Sequence, residues 1–149
     1  MNEVTVNSIM KLSEHFSLGE FTKTKHQTAD GNIPSHAVIE NLKRLCPWLE
    51  ELRRRYNEPI IINSGYRSPA VNKLAGGAKT SNHLTGCAVD IRCAGKEQMI
   101  RYASILLDIA DGTKQDYDEL LLEQHGSVCW LHFAVRPKDN RRKIEFLKS

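Results

Sequence analysis

The apolar positions of the chain change period along its length, and each period marks an element. Val38, Leu42, Leu45, Leu49, Leu52 and Tyr56 recur at alternating intervals of four and three. That spacing belongs to one buried helical face, and Ser35 stands where the helix should open. Pro47 falls inside the pattern and is expected to kink or split the helix, because proline has no N–H to donate. A second helical period, Met99, Ala103, Leu106 and Ala110, ends near Gly112. Four short runs read as strands: "PIIINS" from Pro59, "CAVDIRC" from Cys87, "YDELLLEQ" from Tyr117 and "CWLHFAV" from Cys129. A short glycine-containing connection joins the last two, which predicts an antiparallel hairpin. "LSEHFSLGEFTKT" reads as a short helical turn with Phe16, Leu18 and Phe21 inward, and Ser17 caps a turn containing Glu20. "HQTADGNIP" is loop, and so is the stretch from Gly65 to His83 apart from a helical turn after Pro69. "NRRKIEFLKS", at the end, reads as a polar helix or a tail. The sum is a single α+β domain over residues 1–149, a small and largely antiparallel sheet with helices packed on it.

Composition narrows the class. A chain of 149 residues with 40% hydrophobic positions can bury a core of its own. Charged residues make up 26% and the net charge is +3. The basic clusters Arg53 to Arg55 and Arg141 to Lys143 are short, so they read as solvated faces, and no nucleic-acid partner is expected. No stretch approaches the ~18 apolar residues that cross a bilayer. The first residues, "MNEVTVNSIMKLSEHF", have an early acid, no basic segment and no continuous apolar run, so no signal peptide is expected and synthesis in the cytoplasm is. Cys46, Cys87, Cys93 and Cys129 show no CxxC spacing and are expected to be reduced. Cys87 and Cys93 share strand parity and suit buried positions.

The chemistry gathers at two places. In "SNHLTGCAVD", His83 lies in the loop before the second strand and Asp90 lies within that strand. In "CWLHFAV", His132 sits mid-strand on the same face as Trp130 and Ala134. Gly86 would let His83 turn back toward Asp90. If the two strands are neighbours, two imidazoles and one carboxylate converge. Two His and a carboxylate, with a fourth position open to water, make up a catalytic zinc site. Strand interiors disfavour Asp, and a buried carboxylate needs a partner: a metal, Arg67 or Arg92.

"SGYRSPAVN" from Ser64, then "SNHLTGCAVDIR", then "WLHFAV" resemble the zinc D-alanyl-D-alanine carboxypeptidases of peptidase family M15. The likeness is to the short branch that includes phage endolysins and bacterial murein peptidases. The pattern Ser-x-His-x-x-Gly-x-Ala-x-Asp occurs in full. The resemblance implies a Hedgehog/DD-peptidase-like fold and one zinc ion held by His83, Asp90 and His132. It implies hydrolysis of peptidoglycan stem peptides, of the D,D-carboxypeptidase or L-Ala-D-Glu endopeptidase type. Such an enzyme would act on the cell wall once released or exported. Arg67 matches an arginine that contacts substrate and steadies an oxyanion. Ser81 matches a serine near substrate, and it also suits a turn cap. Many members carry an acid three residues before the last His, where this chain has Cys129. Glu123 is therefore the expected general base, with Glu119 and Asp118 as runners-up. His125 is a candidate for substrate binding, and Trp130 is expected to pack beside the site as core. Cys129 also opens two rival readings: an inactive zinc-binding or wall-binding module of the same fold, or a thiol nucleophile.

Overall fold

The computed structural model describes residues 9–149, and residues 1–8, where the search for a leader began, lie outside the described residues. The elements follow in the order α1 (Leu18–Thr22), α2 (His36–Tyr56), β1 (Ile62–Ser64), α3 (Pro69–Leu74), a 3₁₀ turn (Asn82–Thr85), β2 (Ala88–Cys93), α4 (Lys96–Thr113), β3 (Glu119–His125), β4 (Val128–Ala134) and β5 (Lys143–Lys148). The five strands form one sheet in the order β1-β2-β4-β3-β5. Three pairings are antiparallel, and β5 runs parallel to β3. The architecture is α+β, as the periodicities imply.

Strand parity divides the sheet into two faces with different work. Val89, Ile91, Leu120, Leu122, Leu131 and Phe133 point to one side and are buried. They share a core with Leu42, Leu45 and Leu49 of α2 and Leu106 of α4. Trp48 of α2 meets Phe133 of β4 with ring centroids 5.2 Å apart. Each fully buried side chain of this size stabilises the fold by roughly 1.5–3 kcal/mol. The opposite face carries the polar residues discussed below, so the core fixes the backbone on which they stand. Phe16, Leu18 and Phe21 are buried, and Ser17 and Glu20 form a capping box in which the Glu20 carboxylate accepts from the Ser17 N–H at 2.8 Å.

Two sequence expectations are corrected. Helix α2 is not split: it runs unbroken for 21 residues through Pro47, opened by Ser35 Oγ accepting from the Val38 N–H and closed by Asn57 in the left-handed conformation. Pro47 and Lys43 both face solvent, so water can satisfy the carbonyl that proline leaves without a donor, while the buried face stays intact. Residues 140–149 do not form a helix or a loose tail. Lys143–Lys148 is a strand whose period-2 alternation docks on β3 in register Glu119↔Lys143 to Gln124↔Lys148. The edge of β3 offers a row of backbone groups that a six-residue strand satisfies.

Asp118, just before β3, ties this end together. Its carboxylate is fully buried, accepts from Arg141 Nη2 at 2.8 Å and Asn82 Nδ2 at 2.8 Å, and forms an ion pair with Arg136, whose Nε lies 3.1 Å away. These bonds outweigh burial, which alone would raise its pKa, and bring it down to about 2. All four cysteines are free and buried. Among the described residues no helix is long and apolar enough to cross a membrane.

Candidate metal centre

Antiparallel β2 and β4 are sheet neighbours in a register that sets Asp90 directly opposite His132. Both side chains point away from the core. His83 reaches them from the 3₁₀ turn, which Ser81 caps by accepting the His83 N–H on its Oγ at 3.1 Å. The turn ends at Gly86 with φ 75°. A Cβ there would stand 2.8 Å from Val38 Cγ1 and 2.9 Å from the Val38 carbonyl oxygen. Only glycine combines that backbone conformation with that closeness to α2, and so His83 folds back over β2.

The three side chains meet. His83 Nε2 lies 3.3 Å from Asp90 Oδ1, and His132 Nδ1 lies 3.1 Å from the same oxygen. The two rings stand edge to face, 5.1 Å between centroids. All three residues are buried, and one ligand atom from each falls within 4.8 Å of the others. Zinc bonds of about 2.0–2.1 Å in a tetrahedron separate neighbouring donors by roughly 3.3 Å. The spacing and the donor set both fit such an ion.

The far sides of the rings are held as well. His83 Nδ1 is 2.6 Å from the Gly65 carbonyl. A carbonyl only accepts, so Nδ1 carries a hydrogen and Nε2 is the ring nitrogen that faces the cluster. His132 Nε2 donates to Glu119 Oε1 at 2.9 Å. Glu119 is fixed in turn by Asn82 Nδ2 at 2.6 Å and faces Arg141 Nη2 at 3.5 Å. Burial favours a neutral His132, yet its bonds to Asp90 and Glu119 prevail and raise its pKa to about 9. Burial disfavours the Asp90 carboxylate too, and the two imidazoles overcome it and hold the pKa well below the usual range. Arg67 donates from Nη2 to the other Asp90 oxygen at 3.2 Å and from Nε to Ser64 Oγ at 3.2 Å. A metal taking the place of the protons on this cluster would release them.

The candidate bases differ sharply. Glu123 lies across the hairpin from Trp130, whose indole N–H donates to Oε2 at 3.1 Å. No other hydrogen bond holds the Glu123 carboxyl among the described residues, and burial first, then the charge of Asp90, raises its pKa. Glu119 is held below its ordinary pKa, first by His132, against burial. Asp118 is enclosed by arginines and faces no opening. Cys129 sits in the core, on the opposite face of β4 from His132.

An open cleft of about 370 Å³ runs over these groups and is lined by Arg67, Ser81, His83, Asp90, Glu123 and His132 among others. His125 does not reach it. It ends β3, exposed, with Nδ1 3.0 Å from Ser149 Oγ. Two residues beyond Glu123 the strand has travelled roughly 6.6 Å toward the sheet's rim. Trp130 belongs to the cleft wall and not to the core. Sequence reasoning missed Asn82 and the grip of Glu119 on His132. Asn82 directly precedes His83 in the chain, which was the available signal.

The model of the family described as Peptidase M15 matches residues 14–117. No curated protein matches the chain. Among solved structures, the Serratia marcescens L-Ala D-Glu endopeptidase ChiX is similar at 25% identity over 68% of this chain and 87% of that one, with a TM-score of 0.42.

Proposed function

The chain belongs to the peptidase M15 family, and from that premise we propose that it is a zinc-dependent peptidase that hydrolyses peptidoglycan stem peptides. The observation that supports this most is the meeting of His83 Nε2, Asp90 Oδ1 and His132 Nδ1 beneath an open cleft. These residues would hold one zinc ion. Zinc, when bound there, supplies Lewis acidity that makes water a nucleophile near neutral pH and polarises a carbonyl.

The protein's own groups do the rest. Glu123, with its raised pKa and one oxygen free of hydrogen bonds, accepts the proton of the attacking water and returns it to the leaving amine. Trp130 orients that carboxyl through Oε2. Arg67 lines the cleft with its guanidinium, which donates to the developing oxyanion or to a substrate carboxylate. Ser81 offers its hydroxyl to the peptide backbone from the cleft wall. Glu119 is engaged by His132 and Asn82, so it orients a ligand and does not serve as the base. The motif likeness to murein peptidases supports stem peptides as substrates, with the scissile bond either D-Ala-D-Ala or L-Ala-D-Glu.

The test is elemental analysis of untagged protein beside His83→Ala and Asp90→Ala, followed by digestion of purified muropeptides with and without chelator. The expected result is about one zinc per chain in the wild type alone, and a chelator-sensitive new amine. A protein that neither contains nor takes up zinc would overturn the reading. Zinc binding without cleavage would favour an inactive module instead.

A further inference from the structure

A second cleft, of about 680 Å³, opens beside the first. Arg67 and Ala75 line both, so the two clefts adjoin. One wall comes from the segment after α1 and brings Lys23, Lys25 and His26. The opposite wall is apolar: Val71 and Leu74 of α3, with Ala75. No Asp or Glu lines this cleft. Asp30, the acid whose charge reaches Tyr66 on its lining, is turned instead to the Asn32 N–H and the Thr28 hydroxyl.

The cations are not spent on the fold. Neither Lys23 nor Lys25 joins an ion pair among the described residues, and both are exposed. Arg67 uses Nε and Nη2 on Ser64 and Asp90, and its Nη1 makes no hydrogen bond among the described residues. Three cationic side chains thus border a cavity of ligand size that adjoins the cleft of the metal centre. A peptide with its scissile bond at the centre must continue somewhere, and this adjoining cleft offers it a place. The cationic wall calls for negative charge, and the apolar wall suits a short aliphatic side chain.

We infer that this cleft is a substrate subsite for a peptide residue bearing a free carboxylate, gripped by Lys23, Lys25 and the open edge of Arg67. The inference rests on the peptidase reading and deepens it: the substrate is an acidic peptide, and amidating its carboxylates weakens binding. Exposed ion pairs are individually weak, so the lysines act together, for roughly a tenfold preference.

The test measures binding, apart from turnover. Zinc-free protein is titrated by NMR with L-Ala-γ-D-Glu-L-Lys, once with its carboxylates free and once with all of them amidated, and the titration is repeated on the zinc-loaded protein. The free acid should bind about tenfold more tightly and shift the amides of Lys23 to His26 and Tyr66. In Lys23→Ala/Lys25→Ala, whose exposed side chains leave the dispersed spectrum unchanged, the ratio should fall to about one. Equal affinity of the wild type for both peptides, no binding of either, or an undiminished ratio in the double variant would each overturn the subsite. Absence of hydrolysis with the ratio intact would instead strike the peptidase reading alone.

Discussion

Replacing Glu119 and Glu123 in turn separates two carboxylates that the sequence offers for one role. Glu119 holds His132 Nε2 at 2.9 Å, on the side of the ring away from Asp90, and Asn82 and Arg141 fix it there. Glu119→Gln keeps an acceptor but loses the charge, and Glu119→Ala loses both. Partners of this kind are worth about 10–100-fold in metal affinity, or roughly 1.4–2.7 kcal/mol. The glutamine variant belongs at the low end and the alanine variant at the high end. Glu123 touches no proposed ligand by hydrogen bond; its one bond is to Trp130. Glu123→Gln should therefore hold zinc within about threefold of wild type while kcat falls by about 10²–10⁴, the usual worth of a positioned base. The assay pairs zinc affinity, by competition with a chromophoric chelator, with kcat on a muropeptide at saturating zinc. At saturation Glu119→Gln should recover most of its kcat and Glu123→Gln none. The reverse pattern, with zinc affinity unmoved and kcat abolished in Glu119→Gln while Glu123→Gln stays active, would refute the assignment and make Glu119 the base.

Three more outcomes are expected. Asp118 has a folded pKa of about 2 against an ordinary 3.8, so its contribution of about 2 kcal/mol is present above pH 4 and is lost as the pH falls through 2; urea melts of Asp118→Asn should lack that part of the acid destabilisation, and an unchanged slope would contradict it. Cys129 lies in the core, so iodoacetamide on the native protein should leave hydrolysis intact and a chelator should stop it; inactivation by alkylation would restore the thiol reading. A Cβ at Gly65 would come 2.6 Å from the Phe21 carbonyl oxygen and 2.9 Å from Phe21 Cα, and relief must move α1 or the carbonyl that orients His83; Gly65→Ala should lower both stability, by about 1–3 kcal/mol, and zinc affinity, as read by calorimetry and chelator competition.

What could be read from the chain, and what could not, follows from the range of the forces involved. The helical periods of α2 and α4 and the alternation of β2, β3 and β4 are local signals, and the apolar positions they mark are buried, with Tyr56 partly so. The neighbourhood of His83 and Asp90 is nearly local too, since a single left-handed glycine reverses the chain between them. Strand order is not local. That β4 lies between β2 and β3 decides that His132 meets both Asp90 and Glu119. The short connection at Gly126 encodes the β3–β4 pairing, but no spacing along the sequence encodes the β2–β4 adjacency; only the motif likeness hinted at it. The same limit explains β5. Its residues alternate, but "KIEFLK" is polar enough to suit a helix, and the deciding term is the edge of β3, which lies about twenty residues away. It also explains why Glu119 and Glu123, equivalent by parity, differ in chemistry. Glu119 faces the 3₁₀ turn with Asn82 and the Arg141 approach to β5, and these partners keep it ionised and occupied. Glu123, four residues on, has passed beyond them, and burial beside Asp90 raises its proton affinity. The division of labour between the two acids is thus set by what the neighbouring strands and turn bring to each, and the Glu119 and Glu123 variants compare those surroundings directly.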